Sequence, residues 1–210
     1  MDNSFLLIKP DGFRYLDVIR KEVLKNGFRI VNKYHIYSWE DVFRKLSREL
    51  MEHRNELFGK EIEAHIWLLK YIFGNYAQLW ILEKKPLKDE ALLEETTNVK
   101  EIIRDRYCAS RDGTFMIIAD MCKVGLPSEF LSPGYLGTFF ENEFHKVDKM
   151  IPQRGQFDGF YLKYLHCPDP ILSEAEREFE VLRKCGIISK ENEISEEEWE
   201  KMIYFIKLLS

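Results

Sequence analysis

Four side chains in this sequence have types suited to chemistry on phosphate, and they stand at predicted strand ends or on predicted helices. They are Lys9, Arg104, His145 and Glu178. A neutral imidazole is a competent nucleophile toward phosphorus near pH 7 when a partner holds its other nitrogen. A guanidinium binds phosphate oxygens through two hydrogen bonds, and a carboxylate on a rigid helix can orient an imidazole.

Each of these residues also has a simpler explanation. Lys9 could be a solvated lysine at a plain turn, since Pro-Asp-Gly follows it. His145 could be a surface histidine or a core histidine whose ring nitrogens are hydrogen-bonded. Glu178 lies among other glutamates and could belong to a solvated helix face, and Arg104 could be a helix-surface arginine. The individual residues therefore leave the function open.

Composition excludes several classes of protein. Of the 210 residues, 45% are hydrophobic and 32% are charged, which is typical of a globular chain. The formal net charge of -5 argues against a dedicated nucleic-acid-binding protein. The longest apolar runs, such as 115–119, are far shorter than the ~18 residues of a membrane span, and Met1-Asp2-Asn3-Ser4 lacks the basic region of a signal peptide. We expect no membrane partner.

Metal and redox signals are weak in this sequence. The four cysteines form no CxxC pair, and the five histidines form no HExxH motif. The cysteines therefore predict reduced thiols in a cytoplasmic protein, and the sequence predicts no protein-bound metal. The phosphate-binding patterns GxxxxGK[ST] and GxGxxG and the hydrolase pattern GxSxG are also absent. Any phosphate chemistry must therefore come from dispersed positions.

Hydrophobic periodicity and turn residues predict an order of strands and helices along one domain spanning residues 1–210. Strands are expected at 4–8, 28–37, 76–82, 114–119, 139–145 and 157–165. Helices are expected at 16–24, 38–58, 62–73, 87–94, 99–106, 173–184 and from Ser195 onward, with capping boxes at Ser173–Glu176 and Ser195–Glu198. This order alone predicts an α/β or α+β fold.

Six motifs in sequential order resemble those of the nucleoside diphosphate kinase family. The sequence segments that carry the resemblance are FLLIKPDG at 5–12 with NGFRIV at 26–31, LKYI at 69–72 with AQLWILE at 77–83, EETTN at 94–98, IRDRY at 103–107, NEFHKVD at 142–148 and SEAEREF at 173–179. Each motif alone is weak, but the shared order makes coincidence improbable.

The resemblance implies a function and roles for six residues. His145 would carry the phosphoryl group in a ping-pong transfer from a nucleoside triphosphate such as ATP to a nucleoside diphosphate, and Glu178 would hold its other nitrogen. Lys9 and Arg104 would neutralise charge on the phosphoryl group. The nucleotide would be bound by two further residues, Thr96 and Asn142. Mg²⁺ would arrive with the nucleotide.

The resemblance also implies a fold and an assembly. It implies an α+β sandwich of the ferredoxin-like βαββαβ type, with a four-stranded antiparallel sheet and helices on one face. Insertions at about 109–140 and 150–172 would add peripheral strands, and an extra C-terminal helix would lie in an extension of about 187–210. Because the family assembles into oligomers, we expect a homo-oligomer.

Departures from the family pattern keep two alternatives open. Val147 stands where the family has a supporting serine, Glu90 stands near a second family arginine, with Lys88 as a partial substitute, and no aromatic is in register to stack on a base. One alternative is a nucleotide-binding or assembly protein with little turnover. The other is a histidine phosphotransferase with a non-nucleotide acceptor.

Overall fold

The structure is a computed structural model that describes residues 1–51, 70, 73–108 and 164–209. The strands predicted at 114–119 and 139–145 lie outside the described residues, and so do positions 157–163 of the strand predicted at 157–165. Of the helix predicted at 62–73, only positions 70 and 73 are described. The predicted insertion at 109–140 also lies outside the described residues.

Four strands form one antiparallel sheet in the order β2-β3-β1-β4. They are β1 (Ser4–Ile8), β2 (Arg29–Ile36), β3 (Ala77–Glu83) and β4 (Leu165–His166). A helix lies between β1 and β2 and another between β3 and β4, which makes the connectivity βαββαβ. The α+β fold with a ferredoxin-like sheet is confirmed, and β4, from the second predicted insertion, belongs to the central sheet.

Five α-helices surround the sheet in the described ranges. They are α1 (Leu16–Lys25), α2 (Trp39–Met51), α3 (Asp89–Tyr107), α4 (Leu172–Lys184) and α5 (Glu196–Leu209), with short 3₁₀ helices at Pro10–Tyr15 and Lys190–Asn192. None of the described helices has the length and apolar composition required to cross a bilayer.

Helix α3 is continuous, so the prediction of two short helices at 87–94 and 99–106 is wrong. Two threonines, residues with low helix propensity, lie between the predicted pieces. In the structure Thr96 donates to the Leu92 carbonyl at 2.8 Å, and Leu92, Val99 and Ile103 are buried along the helix. Packing of this continuous apolar face outweighs the local propensity.

Helices cover both faces of the sheet, whereas the sequence resemblance implies helices on one face. Trp80 of β3 packs edge-to-face against Trp199 of α5, with ring centroids 5.3 Å apart. Phe5 of β1 packs in the same way against Phe179 of α4 at 5.0 Å. Phe5 is paired with Ile81, the neighbour of Trp80, so α4 and α5 lie on opposite faces.

The two predicted capping boxes have different outcomes. At the start of α5, the Glu198 N–H donates to the Ser195 hydroxyl at 3.2 Å, as predicted. At α4 the prediction is wrong, because the helix begins at Leu172 and Ile171 is its N-cap. Ser173 therefore lies inside the first turn, and the carbonyl of Ile171 accepts the first helical hydrogen bonds.

Helix α5 depends on Trp199 for its attachment. The buried indole contacts Trp80, and Lys33 Nζ and the Arg20 guanidinium carbon lie 4.3 and 4.6 Å from the ring centroid. Trp199→Ala is expected to lower the free energy of unfolding by about 3–5 kcal/mol in urea titrations. Leu208→Ala is the matched control in the same helix, because Leu208 is 63% exposed. Equal effects of the two substitutions would contradict this packing.

Candidate functional site

Three of the residues predicted for the site meet at strand β4. The Lys9 N–H donates to the Tyr164 carbonyl at 2.8 Å, and Arg104 Nη2 donates to the Leu165 carbonyl at 2.7 Å. Glu178 Oε2 lies 2.7 Å from the imidazole of the next residue, His166. The first strand, helix α3 and helix α4 thus converge on the edge of the sheet, and each supplies one predicted residue.

Two other predicted residues, His145 and Asn142, lie outside the described residues. Their roles as phosphorylated histidine and nucleotide contact stay predictions. The histidine that the structure places against Glu178 is His166, which sequence reasoning did not select.

The His166–Glu178 pair has the geometry of an oriented imidazole. His166 Nε2 bonds to Glu178 Oε2, and this pairing puts the proton on Nε2. Glu178 is only 1% exposed, while the His166 side chain keeps 22% of its surface exposed. Nδ1 makes no hydrogen bond with any described residue. The pair therefore presents one nitrogen as a base or nucleophile while the other is held.

A sequence signal for His166 exists. It directly follows the strand predicted at 157–165, and a short connection separates it from the helix of Glu178. It is also followed by Asp169, with the same spacing that separates His145 from Asp148. A strand that ends in histidine and leads directly into a helix with a buried glutamate would have indicated this pair.

Arg104 binds the chain's own backbone at the site and keeps one buried donor unused. Its Nη1 donates to Glu101 at 3.0 Å, in addition to the contact of Nη2 with Leu165. Its Nε is buried without a hydrogen-bond partner among the described residues. The guanidinium is thereby fixed beside the residue that precedes His166.

Lys9 is buried, and its ammonium lies 3.9 Å from Asp11 Oδ2. Burial raises the pKa of the Asp11 carboxyl, while the charge of Lys9 and the hydrogen bond from the Tyr164 N–H oppose that rise. The turn after β1 therefore places a positive and a potentially negative group together, close to the strand that carries His166.

Thr96 uses its hydroxyl for a hydrogen bond within its own helix. It is fully buried on α3, and its hydroxyl donates to the Leu92 carbonyl. The next residue, Thr97, lies 3.7 Å from Cys167, which directly follows His166. The role of Thr96 in nucleotide binding stays a prediction.

Two thiols flank the site, but neither is an activated nucleophile. Burial raises the pKa of Cys108 to about 12, although the nearby Lys9 and Arg104 act in the opposite direction. Burial also raises the pKa of Cys167, which lies 3.7 Å from the Thr97 hydroxyl. Both cysteines stay protonated near pH 7, so His166 is the better nucleophile at β4.

Within the ranges that the structure describes, no group of three or more His, Cys, Asp or Glu side chains is arranged to hold a metal ion.

Comparisons with known proteins give structural neighbours only. No family model and no curated protein matches the chain. One similar structure is a nucleoside diphosphate kinase family protein from Babesia bovis, 17% identical, with a TM-score of 0.40 and 93% of each chain covered. Another is an NDP kinase from Pyrobaculum aerophilum, 16% identical, with a TM-score of 0.38, covering 91% of this chain and 97% of that chain.

Proposed function

We propose that the protein is a phosphotransferase that moves the γ-phosphoryl group of a nucleoside triphosphate to a nucleoside diphosphate, and that His166 carries the group between the two steps. The observation that carries this proposal is the 2.7 Å hydrogen bond between His166 Nε2 and Glu178 Oε2. It leaves Nδ1 as the nucleophilic nitrogen, on a partly exposed ring at the edge of the sheet. The order of the six sequence motifs, which resembles that of the nucleoside diphosphate kinase family, supports nucleoside di- and triphosphates as the substrates.

The proposed reaction has two half-reactions at one atom. The lone pair of His166 Nδ1 attacks the γ-phosphorus, and the bond from that phosphorus to the bridging oxygen breaks. The nucleoside diphosphate leaves with the electron pair. An acceptor diphosphate then attacks the phosphohistidine through a terminal oxygen, and the P–N bond breaks. Glu178 stabilises the positive imidazole that forms in the first step.

Lys9 and Arg104 supply the positive charge that such a transfer requires. Buried polar atoms without a hydrogen-bond partner are uncommon in folded proteins, and a catalytic role is one explanation for them. Three of the six such atoms among the described residues, Asp11 Oδ1, Arg104 Nε and Glu178 Oε1, belong to side chains that bind β4 or the residue just before it. Mg²⁺ would enter with the nucleotide as part of the substrate.

The remaining expectations belong to the same proposal. Thr96 and Asn142 are proposed nucleotide contacts, and a cytoplasmic homo-oligomer is proposed from the family resemblance. His145 stays the alternative carrier of the phosphoryl group, because its surrounding motif has the family spacing.

A second candidate is a nucleotide-binding or assembly protein with little turnover. It is favoured by the contacts that the cationic side chains of Arg104 and Lys9 already make within the protein. Arg104 already binds Glu101 and a backbone carbonyl, and Lys9 lies near Asp11. A phosphate group would have to compete with these internal contacts.

Labelling with γ-labelled ATP and Mg²⁺ tests the proposal. We expect a protein-bound label that is labile in acid, stable in base and discharged by added nucleoside diphosphate. A label that every nucleoside diphosphate fails to discharge would indicate another acceptor. Absence of label at saturating ATP would reject the transferase and favour the binding protein.

A further inference from the structure

Strand β4 is held in place by charged side chains from three different elements. The N–H of Tyr164, just before the strand, donates to Asp11 Oδ2 at 3.1 Å. The carbonyl of Leu165 accepts from Arg104, and the ring of His166 binds Glu178. A strand of two residues has few ladder hydrogen bonds of its own, so these side chains determine its position.

Tyr164 is restrained by the segment 9–15, which contacts it in four ways. The Lys9 N–H donates to its carbonyl, and the carboxylate of Asp11 accepts from its N–H. The ring of Tyr15 stacks on the Tyr164 ring, with centroids 4.5 Å apart and an interplanar angle of 22°. Gly12 lies so close that a Cβ there would be 2.6 Å from the Tyr164 carbonyl oxygen.

The backbone of Tyr164 explains why so many contacts are needed. Its φ is +52°, a left-handed conformation that bulky residues rarely adopt. Such a conformation persists only when the surrounding structure enforces it, and these cases cluster at functional sites. Here the strained residue lies two positions before His166, so a change at Tyr164 would displace the imidazole.

We propose that residues 9–15 form a clamp on Tyr164 that holds His166 against Glu178, and that Asp11 is the positioning residue of this clamp. The inference rests on the proposed role of His166. It assigns to the Pro-Asp-Gly turn a task beyond local turn formation, since the Asp11 carboxylate accepts from a residue 153 positions away. Gly12 is required because no side chain fits under Tyr164.

Asp11 suits this task because its contact is both buried and directional. The residue is 1% exposed, so water does not compete for its hydrogen bond with the Tyr164 N–H. The ammonium of Lys9 at 3.9 Å partly compensates the buried carboxylate. A neutral acceptor of the same shape would keep the hydrogen bond, which makes Asp11→Asn a conservative rescue variant for Asp11→Ala.

The test is nitrogen-15 NMR of the histidine rings in the full chain. The chain has five histidines, and a His166→Gln variant identifies the His166 signals. We expect a single tautomer with the proton on Nε2 in the wild type, mixed tautomers in Asp11→Ala, and recovery in Asp11→Asn. Leu93→Ala, which alters a buried residue of α3 outside the clamp, should keep the wild-type tautomer.

Two results would overturn the clamp. One is a single wild-type tautomer in Asp11→Ala, and the other is equal loss of that tautomer in Leu93→Ala. If Asp11→Ala does not fold, Tyr15→Leu provides the same test, because it removes the stacking on Tyr164 but keeps an apolar side chain. An unchanged tautomer in Tyr15→Leu would likewise reject the clamp.

Kinetics separate the clamp from the proposed function. At saturating ATP, Asp11→Ala should slow phosphohistidine formation by about 10²-fold, with less than about a threefold change in the KM for ATP. Loss of the tautomer in Asp11→Ala, with no label on the wild type, would support the clamp and reject phosphotransfer. Label on the wild type with an unchanged tautomer in Asp11→Ala would support phosphotransfer and reject the clamp.

Discussion

His166→Ala is expected to abolish the acid-labile label from γ-labelled ATP, with a loss of about 10⁴-fold or more in the rate of its formation. The alanine variant has no nitrogen to attack phosphorus, and the flanking thiols of Cys108 and Cys167 are protonated near pH 7 because burial raises their pKa. Water would be the remaining nucleophile. The measurement is the rate of label incorporation in single-turnover experiments.

His145→Ala is the matched control, since it removes the same side chain from the competing motif. We expect it to keep the rate of labelling within about twofold of the wild type. Loss of label in His145→Ala and its retention in His166→Ala would assign the phosphohistidine to His145. Retention in both variants would exclude a phosphohistidine at either position. Thermal denaturation of both variants checks that the fold is intact.

The central strands were predictable from local sequence. Predicted strands at 4–8, 28–37 and 76–82 match the observed Ser4–Ile8, Arg29–Ile36 and Ala77–Glu83 to within one residue at each end. Continuous apolar runs define β1 and β3, since both are buried on the two faces of the sheet. Glycines before β2 and β3 have positive φ values of 80° and 83°, which end the preceding segments.

The pairing of β4 in the sheet and the contact of its histidine with Glu178 could not be derived from local periodicity. β4 has two residues, and its place depends on Asp11, Arg104 and Glu178, which are distant in the chain. The hydrophobic periodicity of a short sequence segment contains no information about contacts with residues far away in the chain. The motif at 142–148 also contains an asparagine three residues before its histidine, whereas position 163 is a lysine. The pattern therefore favoured His145, while the hydrogen bond to Glu178 in the structure favours His166.

Three of the predicted site residues lie near β4, and each comes from a helix or from the end of a central strand. Lys9 directly follows β1, Arg104 lies in α3, and Glu178 lies in α4. These three positions were selected from motifs that resemble those of a known family, and each motif lies in a regular element. Which histidine these residues meet is a property of tertiary packing, and only the structure supplies it.

Glu178→Gln is expected to separate catalysis from stability. The glutamine carbonyl can still accept from His166 Nε2, so the orientation of the ring is kept. The negative charge that stabilises the imidazole during attack on phosphorus is lost, and we expect labelling to slow by about 10²- to 10³-fold. Single-turnover labelling at saturating ATP measures this change.

The stability of Glu178→Gln should not fall with its labelling rate. Glu178 is buried, and its Oε1 has no hydrogen-bond partner among the described residues. Removing a buried charge also removes its desolvation cost, so the free energy of unfolding should stay the same or rise in Glu178→Gln. Glu180→Gln is the control on the same helix, because Glu180 is 50% exposed, and neither property should change there. Parallel loss of stability and labelling in Glu178→Gln would show that Glu178 maintains the fold rather than the imidazole. Unchanged labelling would show that its charge has no part in the transfer.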